Sequence, residues 1–271
     1  MSRAFSGEVE TGSPQKMRSN QNSVSLPSFY RLVSHERIAS TSDEAKRLAA
    51  EGAPAGTLVW ARVQTGGRGR QGRVWISPAG NFYASLILRP AVRVVTAAQL
   101  GFVAALAVAD ACLALAPDAA ISLKWPNDVL LARRKLAGLL LESQSRSDGT
   151  LDWLVLGIGI NLATYPVEVE YPATALAATG ADADAEAMLG TLAVSFLAWY
   201  ERWRDGAGFA TIRAEWLARA QGLNQPIRVR LPGETREGVF AGLDIDGALL
   251  LDTGTGRQRI AAGEVFPAID A

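Results

Sequence analysis

Between residues 97 and 116 the chain reads AAQLGFVAALAVADACLALA, an apolar run long enough to cross a bilayer but interrupted by Gln99 and Asp110. Such an alanine-rich, interrupted run is read as a buried core helix, which other elements must cover on every side. The 271 residues are enough for that cover, with one sizeable core and a small second domain. No membrane association is expected.

Composition narrows the function classes. Hydrophobic residues at 49% and charged residues at 20% fit a folded globular protein. Lys+Arg equals Asp+Glu at 27 each, so no overall charge draws the chain to nucleic acid and any basic site has to be local. Cys112 is the single cysteine and His35 the single histidine, which excludes an intrachain disulfide framework and a Cys/His zinc site. The polar first residues carry Glu8 and Glu10 and no apolar export signal, so residues 1–28 are predicted to be disordered and the protein cytoplasmic.

Thr41 and Glu44 have capping-box spacing, predicting a helix from Thr41 that Gly52 and Pro54 end. Strands are expected over 57–63, 82–89 and 121–125, the last stopped by Pro126-Asn127-Asp128. Residues 135–143 and 151–161 read as two paired core strands joined at Ser147-Asp148-Gly149. Helices are expected over 185–205 and 208–221, with Phe196, Trp199, Tyr200 and Trp203 on one apolar face. From Asn224 the chain turns to short alternating β runs, so residues 29–223 and 224–271 are expected to form two domains.

Residues 66–75, GGRGRQGRVW, hold a literal match to the dinucleotide fingerprint at Gly67-Arg68-Gly69-Arg70-Gln71-Gly72. A Rossmann turn must open a helix, yet here β-formers, Pro78 and Gly80 follow. An RNA-binding patch would repeat and carry more surrounding charge. A solvated hairpin turn is the plain alternative. Glycines allow close backbone approach and guanidinium forks match phosphate or carboxylate, which favours an anion-holding loop. Mutual repulsion among its arginines should keep that loop loose until an anion arrives. Lys124 and Asn127-Asp128 flank a forced turn, and Lys135 lies just ahead of Gly138. Taken singly, these also fit surface lysines and an ordinary turn.

In series, Ser40-Thr41-Ser42, residues 67–75, Lys124–Asp128, Lys135–Gly138 and Gly157–Asn161 resemble the biotin protein ligase family over residues 30 to 271. The resemblance implies an α/β (α+β) catalytic domain on a mixed sheet, related to class II aminoacyl-tRNA synthetases and lipoyl ligases, with a small SH3-like C-terminal β-barrel. It implies biotin and ATP as substrates, Mg²⁺ with the ATP, and a biotinyl-5′-AMP intermediate. The expected acceptor is a lysine of the biotin carboxyl carrier protein of acetyl-CoA carboxylase, or of other biotin-dependent carboxylases. Nucleic acid and membrane are not expected partners, and monomer and homodimer both stay open.

Carried over by position, Ser40, Thr41, Ser42, Gln64, Arg68, Gly69, Arg70, Lys135, Gly138 and Gly157 would bind biotin. Arg70, Arg73, Trp75, Asn127, Asp128, Lys135 and Asn161 would bind the nucleotide, with Trp75 near adenine. Lys135, Arg70, Asp128 and Lys124 would be catalytic, Lys135 foremost, and Asp128 would orient or deprotonate the incoming amine. Ser42 departs from the family's usual asparagine. The short polar N-terminus also departs from repressor members with a winged helix, and a monofunctional ligase is expected. The rivals are lipoyl ligation and a non-catalytic regulator.

Overall fold

The computed structural model describes residues 25–167 and 169–268. Residues 1–24, most of the segment expected to be disordered, lie outside these. Residues 25–28, also expected to be disordered, are described: Leu26 packs on the core and Tyr30 N donates to Pro27 O at 3.0 Å.

A seven-stranded mixed sheet carries the larger part of the chain, in the order β1-β2-β3-β7-β6-β5-β4. Its strands are β1 (Arg31–Ile38), β2 (Thr57–Gln64), β3 (Phe82–Leu88), β4 (Ile121–Lys124), β5 (Asp128–Leu131), β6 (Arg134–Ser145) and β7 (Leu151–Ile160). β1 and β2 run parallel, and every other neighbouring pair is antiparallel. β1 was not expected, because its polar, mostly exposed side chains give an edge strand no apolar signal. The turn at Pro126-Asn127 does stop β4, but Asp128 already belongs to the next strand and pairs with Lys124 across the hairpin.

The period of two along the central strands sorts side chains between the faces. Phe82, Ala84, Leu86 and Leu88 of β3 enter the main core with Leu154, Leu156, Ile158 and Ile160 of β7. Ile87 and Val155 face the other way, under α1 (Thr41–Ala50), with Ala45 and Ala49. The helix begins where expected, but its cap is Ser40, whose Oγ accepts from Asp43 N at 3.3 Å.

On the main-core face lie α2 (Val94–Ala97), α3 (Leu100–Leu115), α4 (Ala185–Trp203) and α5 (Phe209–Ala218). The run Val94–Leu115 meets the length and hydropathy of a membrane span, but 72% of its most apolar window is buried in this fold. Its uniform apolarity follows from being wrapped: sheet on one side, α4 and α5 on the other. Phe196, Trp199 and Trp203 are buried on α4, and Tyr200 stacks on Phe196 and Trp203 at the margin.

A five-stranded antiparallel sheet follows, built from β8 (Pro226–Leu231), β9 (Glu234–Leu243), β10 (Leu249–Thr253), β11 (Gly256–Ile260) and β12 (Glu264–Pro267). The order is β11-β10-β9-β8-β12. Its apolar side chains Ile227, Phe240, Leu249 and Val265 join the same core cluster as α3 and α5. Trp125 Nε1 donates to Gly247 O at 3.1 Å, fastening the β4–β5 turn to the small sheet.

Candidate active site

β7 ends in Gly157-Ile158-Gly159-Ile160, with Asn161 next, so each isoleucine faces the core and each glycine the α1 side. At these glycines β7 presents no side chain to that side, and a cleft of about 280 Å³ opens above them. Every residue expected to act, from Ser40 at the cap of α1 to Asn161 after β7, lines this one cleft. Three groups divide it.

The first is a hydrogen-bonded set of neutral groups under the start of α1. Gln64 Oε1 accepts from Thr41 N at 2.8 Å and from Thr41 Oγ1 at 3.0 Å. Gln64 Nε2 donates to Ser77 Oγ at 3.0 Å, and Ser77 Oγ donates to Trp75 O at 2.9 Å. Ser85 Oγ, wholly buried, lies 2.9 Å from Thr41 Oγ1 and 3.0 Å from Ser42 Oγ. A Cβ at Gly67 would stand 2.5 Å from Ser77 Oγ and 2.4 Å from Trp75 O, so the second glycine of the loop is required by close approach.

The second group is the aromatic floor. Gly138 and Gly159 are cross-strand partners on β6 and β7, and the Trp75 indole lies over both. A Cβ on Gly159 would come within 2.6 Å of the ring, and one on Gly138 within 3.0 Å. Gly157 likewise makes room for Ser42, whose Oγ would be 2.7 Å from an added Cβ. Gly138 and Gly157 therefore accommodate the protein's own side chains. The Trp75 Nε1 donor is buried without a partner.

The third group is charged. Lys135 Nζ sits 2.8 Å from Asp128 Oδ1, and Lys124 Nζ 3.7 Å from Asp128 Oδ2. The Lys135 contact is close but poorly directed, leaving Oδ1 without an aligned hydrogen bond. Lys124 is only 7% exposed, which excludes the surface-lysine reading, and its ammonium lies 3.7 Å from the centre of the Tyr171 ring. Burial holds its pKa below the usual lysine range, against the pull of Asp128.

The arginine loop forms a short hairpin, with Gly69 N donating to Arg73 O and Trp75 N to Gly67 O. It opens no α-helix: Arg70–Gly72 makes one 3₁₀ turn, with Gln71 at φ 57° and Gly72 at φ 73°. The arginines were expected to repel one another, yet each reaches a different element. Arg68 pairs with Asp43 of α1, and Arg73 with Glu264 of β12 at 2.8 Å. Arg70 donates to Asn127 Oδ1 at 3.1 Å and to Gly263 O at 3.4 Å, and burial lowers its pKa. Asn127 also donates to Leu139 O, while Asn161 spends its amide on Thr174 O at 3.1 Å.

Sequence reasoning passed over Ser85, Tyr171, Glu264 and Phe266. Ser85 had a signal: it is the one polar residue in an otherwise apolar strand. Tyr171 belongs to an irregular segment, and Glu264 and Phe266 to the other sheet, where neither period nor motif marks them.

Residues 34–161 match the family described as the biotin/lipoate A/B protein ligase family, and residues 222–266 match the biotin protein ligase C-terminal domain. The biotin–[acetyl-CoA-carboxylase] ligase of Paracoccus denitrificans is 46% identical over 237 residues, 85% of this chain and 98% of that protein. The bifunctional ligase/repressor BirA of Bacillus subtilis is 36% identical over 86% of this chain and 73% of its own length. Among solved structures, biotin protein ligase from Aquifex aeolicus in complex with biotin and ATP aligns with a TM-score of 0.74 at 30% identity, covering 88% of this chain and 98% of that one.

Proposed function

Since the chain belongs to the biotin protein ligase family, we propose that it activates biotin with ATP as biotinyl-5′-AMP and transfers the biotinyl group to a lysine of a carrier protein. The observation that carries this reading is the division of one cleft into a neutral, hydroxyl-rich end and a cationic end, with Lys135 at the cationic end beside the Trp75 ring. The neutral end suits a cyclic urea, which offers one acceptor and two donors. The cationic end suits a carboxylate meeting a triphosphate.

In the first step a biotin carboxylate oxygen bonds to the α-phosphorus and the bond to pyrophosphate breaks. Two anions have to meet, and Lys135, Lys124 and Arg70 lower the cost of bringing them together. Arg68 and Arg73 flank the phosphate path. Mg²⁺ would travel with the nucleotide on its phosphate oxygens and add further charge neutralisation. In the second step the carrier amine attacks the acyl carbon, AMP leaves with the former carboxylate oxygen, and the amine loses a proton. Asp128, held between two ammonium groups, is better suited to orient them than to take up that proton. Ser40, Thr41, Ser42, Gln64, Gly69, Gly138 and Gly157 would shape the biotin end, and Trp75, Asn127 and Asn161 the nucleotide end.

The natural acceptor is the biotin carboxyl carrier protein of acetyl-CoA carboxylase, with related carboxylases as further acceptors, in the cytoplasm. Exposed Val74 and Ile76 at the cleft mouth suit a protein partner. The test is mass spectrometry of that carrier after incubation with ATP, Mg²⁺ and either biotin or lipoate. Addition of one biotinyl group is expected, and modification by lipoate alone would overturn the reading.

A further inference from the structure

The hydroxyl chain at the neutral end has only one consistent set of proton positions. Thr41 N–H can only donate, so the Gln64 group 2.8 Å away must be its carbonyl oxygen. The Gln64 amide nitrogen therefore faces Ser77, whose own proton goes to the carbonyl of Trp75, which can only accept. Two backbone groups thus fix the glutamine at both ends. Thr41 Oγ1 gives its proton to Gln64 Oε1, so it can receive only a donor from Ser85. With its single proton committed there, Ser85 can only accept from Ser42. The direction runs Ser42 to Ser85 to Thr41 to Gln64.

Ser42 lines the cleft together with Thr41 and Gln64 and begins the chain, while Ser85 is buried behind it, directly across the β3–β7 pair from Gly157. The Ser42 proton is turned inward, so the oxygen presents lone pairs to whatever enters. Resting on the biotin-activation reading above, we propose that Ser85 is a specificity-determining positioning residue. It makes Ser42 an obligate acceptor that reads a ring N–H of the cyclic urea. A ring of the same shape with oxygen at that place would set lone pair against lone pair. A dithiolane has no N–H to offer.

The experiment measures pyrophosphate release with biotin and with two cyclic-carbamate analogues, each replacing one ring N–H by oxygen, for wild type, Ser85→Ala and Ser42→Ala. Wild type should prefer biotin over the analogue whose oxygen faces Ser42 by on the order of 100-fold in kcat/KM. Ser85→Ala frees the Ser42 proton to point into the cleft, and that preference should fall by about tenfold, chiefly through KM. Ser42→Ala should lose the preference as well, and adding Ser85→Ala to it should change nothing further. If Ser85→Ala lowers turnover of all three compounds alike, Ser85 is a packing residue and the proposal fails. Should Ser85→Ala not fold, an unchanged preference in Ser42→Ala overturns it equally. Absence of pyrophosphate release by wild type with biotin would overturn the functional reading, and this proposal with it. Turnover with unmoved ratios would overturn this proposal alone.

Discussion

Lys135 and Lys124 are both beside Asp128, yet their circumstances differ. Lys135 is 28% exposed at its side chain and open to a ligand, so Lys135→Ala should lower pyrophosphate release by about 100-fold or more while the protein stays folded. Near wild-type release would demote it to a spectator. Lys124 is enclosed by Tyr171 and Phe266, and burial lowers its affinity for a proton in the folded state. A lysine whose folded pKa lies below its unfolded one destabilises the fold while it stays charged, and the penalty fades as pH rises from the folded towards the unfolded pKa. Replacement by methionine leaves Asp128 its nearer partner, Lys135. Lys124→Met should therefore gain about 1 kcal/mol at neutral pH, and that gain should shrink as pH rises towards the lysine range. Denaturant unfolding at several pH values measures it, and a gain that grows with pH would contradict the assignment.

Among the elements, the glycine pair under Trp75 shows what a strand can do by omission. Gly159→Ala would drive a methyl into the indole, so the ring must leave its seat; activity should fall roughly tenfold, with a shift in tryptophan emission. Unchanged emission and activity would mean that the seat is not used. The arginine loop makes a second prediction. Arg70 joins the loop to Asn127 and to Gly263, so Arg70→Gly should loosen cover over the adenylate and raise labelling of bystander proteins at matched adenylation rates. Equal labelling would mean that the loop is no lid. These elements also show where the sequence was legible. The loop, the Lys124 turn and Gly157–Asn161 could be placed together because their residue types, in that order, resemble one family, and all of them line the one cleft. The central strands could be read because burial leaves long apolar runs. β1 could not, since an exposed edge carries no periodic signal, and the Ser40 cap was misplaced because Ser40 and Thr41 both have capping side chains. Glu264 was beyond reach: its meeting with Arg73 spans 191 positions and depends on how two sheets meet.

At the scale of the whole molecule, the two sheets share one apolar interior, and β12 supplies Glu264 and Phe266 to the cleft. Heating should therefore give one cooperative transition, with calorimetric and van't Hoff enthalpies in agreement; two resolved transitions would mean that the small sheet melts by itself. The same contacts have a consequence for how the cleft receives its substrate. Arg68 rests on Asp43, Arg73 on Glu264, and Lys135 with Lys124 on Asp128, so all of the cleft's cations but Arg70 come with carboxylates from their own chain. The cleft behaves as an ion exchanger already loaded with internal anions. An arriving triphosphate displaces a tethered carboxylate and releases few dissolved ions. Its affinity should change little between low and physiological salt, which titration at two ionic strengths checks. A steep slope would mean that these side chains meet the phosphates as free charges.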